Sequence, residues 1–181
     1  TFTGTGFVQV KALCSFGSNL VVAGKFSTVN GIVVNSIAQW DGVTWSQLGT
    51  GFDGEISDLH VFNNQLYAVG AFKMDGYGAL AAVWTGTDWV QIGPITWLNG
   101  TYYVQSIMDY NNELFIGGGL WTFSQFGVKK FDGSDWVAPG DGIVSMADSY
   151  GSSVPAMETI DNMLFVGGNF SDMSNSSLNN L

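Results

Sequence analysis

Two side chains that commonly do chemistry, the imidazole of His60 and the thiol of Cys14, each occur once in the 181-residue chain. A copper centre of the oxidase type needs more imidazole ligands than one chain offers. A Ser-His-Asp triad would have to recruit His60, and no pattern in the sequence supports one. A lone cysteine also excludes an intrachain disulfide and a thiolate metal cluster. We therefore expect no cofactor and no metal.

The glutamates are the next candidates for catalysis, because a glycosidase needs two carboxyl groups facing each other across a sugar. Only Glu55, Glu113 and Glu158 are present, and they lie far apart in the sequence. The Gly117-Gly118-Gly119 run lacks the Lys-Ser/Thr of a phosphate loop. A non-enzymatic protein is the prediction, with a carbohydrate-active enzyme or an oxidase as the alternative.

The acidic charge balance of the chain limits the kinds of partner that it can bind. The chain has 15 acidic and 5 basic residues, a net charge of −10, and every basic residue is a lysine. Nucleic-acid binding relies on clustered Lys and Arg, and anionic membranes also attract basic segments. The apolar runs are too short to span a bilayer. We expect no nucleic-acid partner and no direct membrane insertion.

An internal repeat organises the chain. The segment Leu-Val-Val-Ala-Gly-Lys-Phe at residues 20–26 returns in related form at residues 66–72, 114–120 and 164–170. A two-residue turn of Gly, Asn or Asp precedes each copy, as in Asn63-Asn64, and such residues tolerate the positive φ of hairpin turns. Period and turns together predict antiparallel strands with almost no helix.

A second landmark follows the first three copies of this segment. Two aromatic residues flank an Asp-Gly or Thr-Gly turn in three places: Trp40 with Trp45, Trp84 with Trp89, and Phe131 with Trp136. Each unit therefore has four short antiparallel strands in about 46 to 50 residues, which is the length of a propeller blade.

The predicted fold is an all-β, propeller-type array of about three and a half four-stranded antiparallel blades, as a single domain over residues 1–181. The blade units are expected at residues 8–49, 54–93, 102–138 and 152–181. Residues 1–7 align with residues 46–52, so residues 1–5 are expected to be the tail of a preceding blade in a longer array. Glycines such as Gly24 and Gly70 are expected to let neighbouring blades approach each other.

The pattern Trp-Asp-Gly-x-x-Trp-x-x-Leu-Gly-x-Gly at residues 40–51, with Leu-aromatic-x-Gly-Gly-x-Phe at residues 164–170, resembles the kelch-like, galactose-oxidase-type repeats of large cell-surface proteins. The aromatic spacing of five departs from that of kelch repeats proper. The resemblance implies an extracellular scaffold or adhesive ectodomain. Its expected partners are other protein chains, including further copies of itself.

Two sets of residues are candidate sites. The sequons at Asn99, Asn169 and Asn175 predict N-glycosylation if the chain is secreted by a eukaryote. The third unit also has surplus aromatic residues. These are Trp97, Tyr102, Tyr103, Trp121 and Phe123. They either pack beneath a longer loop or form a contact for a glycan or another chain. A glycan-binding module is therefore the alternative function.

Overall fold

The computed structural model describes residues 1–74, 77–93, 102–120, 127–137, 139 and 153–169, and these residues form strands and loops without a helix. The strands are β1 (Phe2–Thr3), β2 (Gln9–Phe16), β3 (Asn19–Lys25), β4 (Thr28–Val29), β5 (Ile32–Val33), β6 (Ile37–Trp40), β7 (Trp45–Gln47), β8 (Asp53–Phe62), β9 (Gln65–Met74), β10 (Tyr77–Trp84), β11 (Trp89–Gln91), β12 (Tyr102–Tyr110), β13 (Glu113–Leu120), β14 (Val128–Phe131), β15 (Trp136–Val137), β16 (Ser153–Ile160) and β17 (Met163–Asn169). The prediction of an all-β chain is confirmed.

The strands pair in chain order within each repeat. Sheet 1 has the order β2-β3-β6-β7, sheet 2 the order β8-β9-β10-β11 and sheet 3 the order β12-β13-β14-β15. Sheet 4 consists of β16 and β17 among the described residues, and β1, β4 and β5 form a small N-terminal sheet. Every pairing is antiparallel. Four-stranded antiparallel sheets are thus confirmed for three of the repeats.

The chain divides into two compact units, Thr1–Ile92 and Gly93–Leu181. The first unit contains the N-terminal sheet with sheets 1 and 2, and the second contains sheets 3 and 4.

The hairpin turns have the backbone geometry that their residues predict. Asn63 and Asn64 have φ values of 49° and 59°, and Asn111 and Asn112 have values of 50° and 63°. Two successive positive φ values define the turn whose twist matches that of the flanking strands. The inner two strands of sheets 2 and 3 are therefore joined tightly, with their register fixed by the turn.

A β-bulge interrupts each inner hairpin at the same place in the repeat. The register shifts between Val10 and Ala12, Ile56 and Asp58, Val104 and Ser106, and Ser153 and Ala156. In β16 the interrupted stretch contains Pro155, a residue that lacks the N–H needed for a ladder bond and is therefore tolerated at bulges.

The bulges give a different reason for these glycines from the one expected, which was the close approach of neighbouring blades. The nearest atom to a Cβ on Gly24, Gly70 or Gly168 would be a carbonyl oxygen of the facing strand of the same sheet, at the bulge. The facing carbonyls belong to Gln9, Glu55 and Ser153. The bulge bends the inner strand towards its partner, so only glycine fits there.

In the first unit, sheets 1 and 2 pack face to face. We call face A the side of each sheet that carries Leu13 in sheet 1, Leu59 in sheet 2, Ile107 in sheet 3 and Met157 in sheet 4. The opposite side is face B. Face B of sheet 1 meets face A of sheet 2 in one buried cluster. Its members include Ala12, Val21, Ala23 and Ile37 from sheet 1, and Ile56, Leu59, Leu66 and Ala68 from sheet 2.

The outer strands extend this packing. Trp84 and Trp89 are cross-strand partners with ring centroids 5.4 Å apart. The buried Trp89 indole donates a hydrogen bond to the carbonyl of Leu48 at 3.0 Å, and its ring lies 4.9 Å from that of Phe52. The outer aromatic pair therefore both fills space and ties sheet 2 to the end of sheet 1.

In the second unit, sheets 3 and 4 pack in the same way. Phe115 and Met108, on face B of sheet 3, share a cluster with Val154, Met157 and Leu164, on face A of sheet 4. The buried Ser106 hydroxyl donates to the carbonyl of Val154 at 2.8 Å. The same mode of sheet packing therefore occurs once in each unit.

The N-terminal residues do not take the places predicted by the alignment of residues 1–7 with residues 46–52. That alignment places Phe7 in the position of Phe52, yet Phe7 is 80% exposed. Phe2 packs instead against Phe26 and Trp45, with ring centroids 4.8 and 5.4 Å away. The cause is the pairing of β1 with β4, which places the Phe2 side chain over the outer part of face A of sheet 1.

Candidate functional site

Most of the residues proposed from sequence fall in parts of the chain that the structure does not describe. Trp97, Asn99, Trp121, Phe123 and Asn175 lie outside the described residues.

The other proposed residues lie on strands. Tyr102 and Tyr103 begin β12, where Tyr103 is half-buried, and Asn169 ends β17 opposite Ser153. The glycosylation and aromatic-contact hypotheses remain predictions.

The thiol and the imidazole lie on inner strands of different sheets, Cys14 on β2 and His60 on β8. Burial raises the pKa of the Cys14 thiol above its ordinary value, and the carboxylate of Asp58 acts in the same direction. A raised pKa keeps the group protonated and a weak nucleophile at neutral pH. Among the described residues, no group of three or more His, Cys, Asp or Glu side chains could hold a metal ion.

Two of the three glutamates form ion pairs. Glu55 pairs with Lys11 across sheets 1 and 2, and Glu113 pairs with Lys130 at 2.9 Å within sheet 3. Glu158 accepts a hydrogen bond from the backbone N–H of Thr159 at 2.9 Å. Each of these carboxylates therefore has a partner within the chain.

The Asp-Gly turns use their aspartates to hold the backbone. Asp41 accepts hydrogen bonds from the N–H groups of Thr44 and Val43 at 2.7 and 2.8 Å, and these bonds lower the pKa of its carboxyl. Asp132 is bound in the same way by the N–H groups of Asp135 and Ser134, both at 2.8 Å, and its pKa is lowered too. Charge-assisted bonds of this kind stabilise the turn itself.

Asp88 joins two sheets. Its carboxylate accepts hydrogen bonds from the N–H and the hydroxyl of Thr50, both at 3.1 Å, and from the N–H of Trp89 at 2.9 Å. These bonds, with the Thr50 N–H contributing most, lower its pKa. Since Thr50 follows sheet 1 and Asp88 belongs to the outer turn of sheet 2, this carboxylate fixes the connection between the sheets.

The most distinctive surface is the inner part of face A in sheet 1. Leu13, Val10 and Leu20 are 64%, 44% and 38% exposed. Leu13 is the cross-strand partner of Val22, and Leu20 lies two residues before Val22 on the same strand, so these side chains share one face. Apolar side chains grouped in this way mark an interaction surface more often than isolated ones.

The same repeat positions are buried in sheet 2. Leu59 is 6% exposed, and Ile56 and Leu66 are fully buried against sheet 1. The sequence offered no signal for this difference, because equivalent residues of the repeat are equally apolar in both sheets. Only the neighbour that covers sheet 2 distinguishes the two faces.

Face B of sheet 4 is a second exposed surface. Ile160 and its cross-strand partner Met163 are 51% and 55% exposed, and Ala156 and Glu158 on the same face are exposed too. The equivalent alanine of sheet 1, Ala12, is buried under sheet 2. Face A of sheet 1 and face B of sheet 4 are therefore the candidate functional surfaces.

The chain matches no protein-family model, and it matches none of the curated proteins. No helix in the described part of the chain is long and apolar enough to cross a membrane.

Proposed function

We propose that this chain is an extracellular structural or adhesive scaffold built of propeller-type repeats, which acts by binding other protein chains and not by catalysis. The observation that carries the proposal is the sheet-on-sheet junction that occurs in the same form in each unit, face B of sheet 1 on face A of sheet 2 and face B of sheet 3 on face A of sheet 4. Repeat proteins are extended by reusing one such junction, and their broad surfaces serve for binding.

The propeller-type arrangement is part of this proposal. It is supported by the strand order of sheets 1, 2 and 3, in which each strand pairs with the next strand of the same sheet, as in propeller blades. Outer aromatic pairs such as Trp84 with Trp89, and inner glycines such as Gly70, keep the same positions in the repeat. The number of blades is best tested by electron microscopy of the chain within its natural assembly.

The extracellular location is supported by the low fraction of charged residues, which is 11% of the chain. Antibody labelling of intact and permeabilised source cells tests it directly, and labelling only after permeabilisation would contradict it. A mass loss on treatment with peptide N-glycosidase would show that the chain carries N-linked glycans. We expect Asn99→Gln and Asn175→Gln to abolish the loss at their own sites, with Asn19→Gln as a control outside any sequon.

A glycan-binding module is the second candidate. The observation that favours it is the concentration of aromatic residues in the third repeat, where Trp97, Tyr102, Tyr103, Trp121 and Phe123 fall. Exposed aromatic rings bind sugars and protein partners through large, rigid apolar surfaces. On a glycan array, Trp97→Ala and Trp121→Ala should abolish binding whereas Val43→Ala should not, and an unmodified chain that binds no glycan would contradict this function.

A further inference from the structure

We propose that face A of sheet 1 in one copy of this chain binds face B of sheet 4 in a second copy, so that copies join head to tail. The inference rests on the proposed scaffold function and specifies its partner and its binding surfaces. It is carried by the internal junctions of the chain, each of which joins one face A to one face B.

The junction inside the first unit shows what covers a face A. Leu59 and Leu66 of sheet 2 are buried by Val21 and Ala23 of sheet 1, together with Ala12. The covering surface is therefore the apolar face B of another sheet from the same repeat.

The junction inside the second unit repeats this arrangement with different residues. Met157 and Leu164, on face A of sheet 4, pack against Phe115 and Met108, on face B of sheet 3. Two junctions of one geometry, made by different side chains, show that the pairing of the faces follows from the repeat and not from one fortuitous contact.

Among the described residues, the inner part of face A of sheet 1 and face B of sheet 4 both carry exposed apolar side chains. On face A of sheet 1, Leu13 is exposed where Leu59 of sheet 2 is buried. On face B of sheet 4, Ala156 and Ile160 are exposed where Ala12 and Phe16 of sheet 1 pack against sheet 2. A second copy offers each of these surfaces a face of the other kind.

The residues at the bulges predict that the contact between two copies is weaker than the internal junctions. Inside the first unit, the bulge residue Lys11 pairs with Glu55 of the next sheet, and in the second unit Gln105 accepts a hydrogen bond from Ser153 at 2.8 Å. The bulge of sheet 4 carries Pro155, which has no side-chain donor or acceptor. Phe2 also covers the outer part of face A in sheet 1, so the contact is confined to the inner strands.

Because the two faces differ, the contact is heterologous. Such contacts give rings if the rotation closes and open chains if it does not. The association is therefore expected to be reversible and to grow with concentration.

The experiment is sedimentation velocity on the whole chain at increasing concentration, up to about 1 mM, so that contacts with a Kd as weak as about 1 mM are detected. The variants are Leu13→Asp, which blocks face A of sheet 1, and Ile160→Asp, which blocks face B of sheet 4. Val43→Asp is the matched control, because Val43 is exposed in an outer turn. Circular dichroism and thermal unfolding verify that each variant folds, and Leu13→Gln replaces Leu13→Asp if it does not.

We expect the unmodified chain and Val43→Asp to form species larger than the monomer, and each blocked variant alone to remain monomeric. An equimolar mixture of Leu13→Asp and Ile160→Asp should form a dimer and nothing larger, because only one intact pair of faces remains. A monomeric unmodified chain, assembly of the blocked variants alone, or a mixture that stays monomeric would each overturn the proposal.

Sedimentation and the antibody labelling of cells together separate this inference from the proposed function. A chain that is monomeric but found on the cell surface overturns only the head-to-tail contact. A chain that assembles as described but labels only inside permeabilised cells overturns only the extracellular role.

Discussion

Phe2 takes in sheet 1 the place that Phe52 takes in sheet 2. Phe52 packs on Phe72 and Trp89, with ring centroids 4.6 and 4.9 Å away, and Phe2 packs on the equivalent residues of sheet 1, Phe26 and Trp45. The two phenylalanines reach these places by different routes, Phe52 from the residue just before β8 and Phe2 from the β1 strand that pairs with β4. The slot between the two aromatic residues therefore takes a phenylalanine in both sheets.

The first prediction concerns this slot. Phe2→Ala should lower the free energy of unfolding by about 1–3 kcal/mol, below the range for fully buried Phe→Ala changes because Phe2 is only half-buried. Phe7→Ala is the matched control and should change it by no more than about 0.5 kcal/mol. Urea unfolding measures both. Equal losses for the two variants, or a larger loss for Phe7→Ala, would contradict the placement of Phe2 in the slot.

The second prediction tests the role of the bulge glycines. Gly168→Ala should destabilise the chain by about 2 kcal/mol or more, because its Cβ would clash with the backbone of Ser153 and Val154. Gly167→Ala, one residue earlier on the same strand, should be neutral or slightly stabilising, since its nearest contact is an ordinary one of 3.7 Å to Ala156. Thermal unfolding compares the two. Similar melting temperatures for both variants would contradict the bulge explanation.

The third prediction concerns pH. Because hydrogen bonds lower the pKa of Asp88 in the folded state, the folded chain binds fewer protons there than the unfolded chain. The contribution of Asp88 is therefore fully present above the unfolded pKa of about 3.9 and is lost as the pH falls through the lower folded pKa.

Replacing this carboxyl should consequently flatten the acid side of the stability curve. Asp88→Asn should be less stable than the unmodified chain at pH 7, and this difference should shrink as the pH falls below about 4. Thr50→Ala is the control, because it keeps the backbone N–H that lowers the pKa of Asp88 most. Urea unfolding from pH 7 to pH 2 measures the effect, and an unchanged difference across that range would contradict it.

The fourth prediction concerns the indole of Trp89. Trp89→Phe removes the hydrogen bond to the buried Leu48 carbonyl and leaves a gap, so we expect a loss of about 2 kcal/mol. Trp45→Phe, at the same position of sheet 1, should cost less, because the Trp45 ring is only partly buried. Chemical unfolding measures the loss of stability in both variants. A greater loss for Trp45→Phe would contradict the contribution assigned to the Trp89 hydrogen bond.

The sequence alone determined the local structure of this protein. Paired asparagines such as Asn63 and Asn64 set the hairpin turns, because these residues tolerate positive φ. The spacing of aromatic residues across Asp-Gly turns set the outer pairs, and the strands, their antiparallel pairing and the four-stranded sheets followed from the repeat. These features depend on residues close together in the chain, so they can be read from it directly.

Only the tertiary structure decided what surrounds each equivalent residue. It showed that Phe2 and not Phe7 fills the first slot, because β1 pairs with β4. It showed that Gly24 accommodates a bulge in its own sheet. It also separated the exposed Leu13 from the buried Leu59, although both are leucines at one position of the repeat. Burial depends on which neighbour covers a residue, and a repeating sequence carries the same local information at every copy.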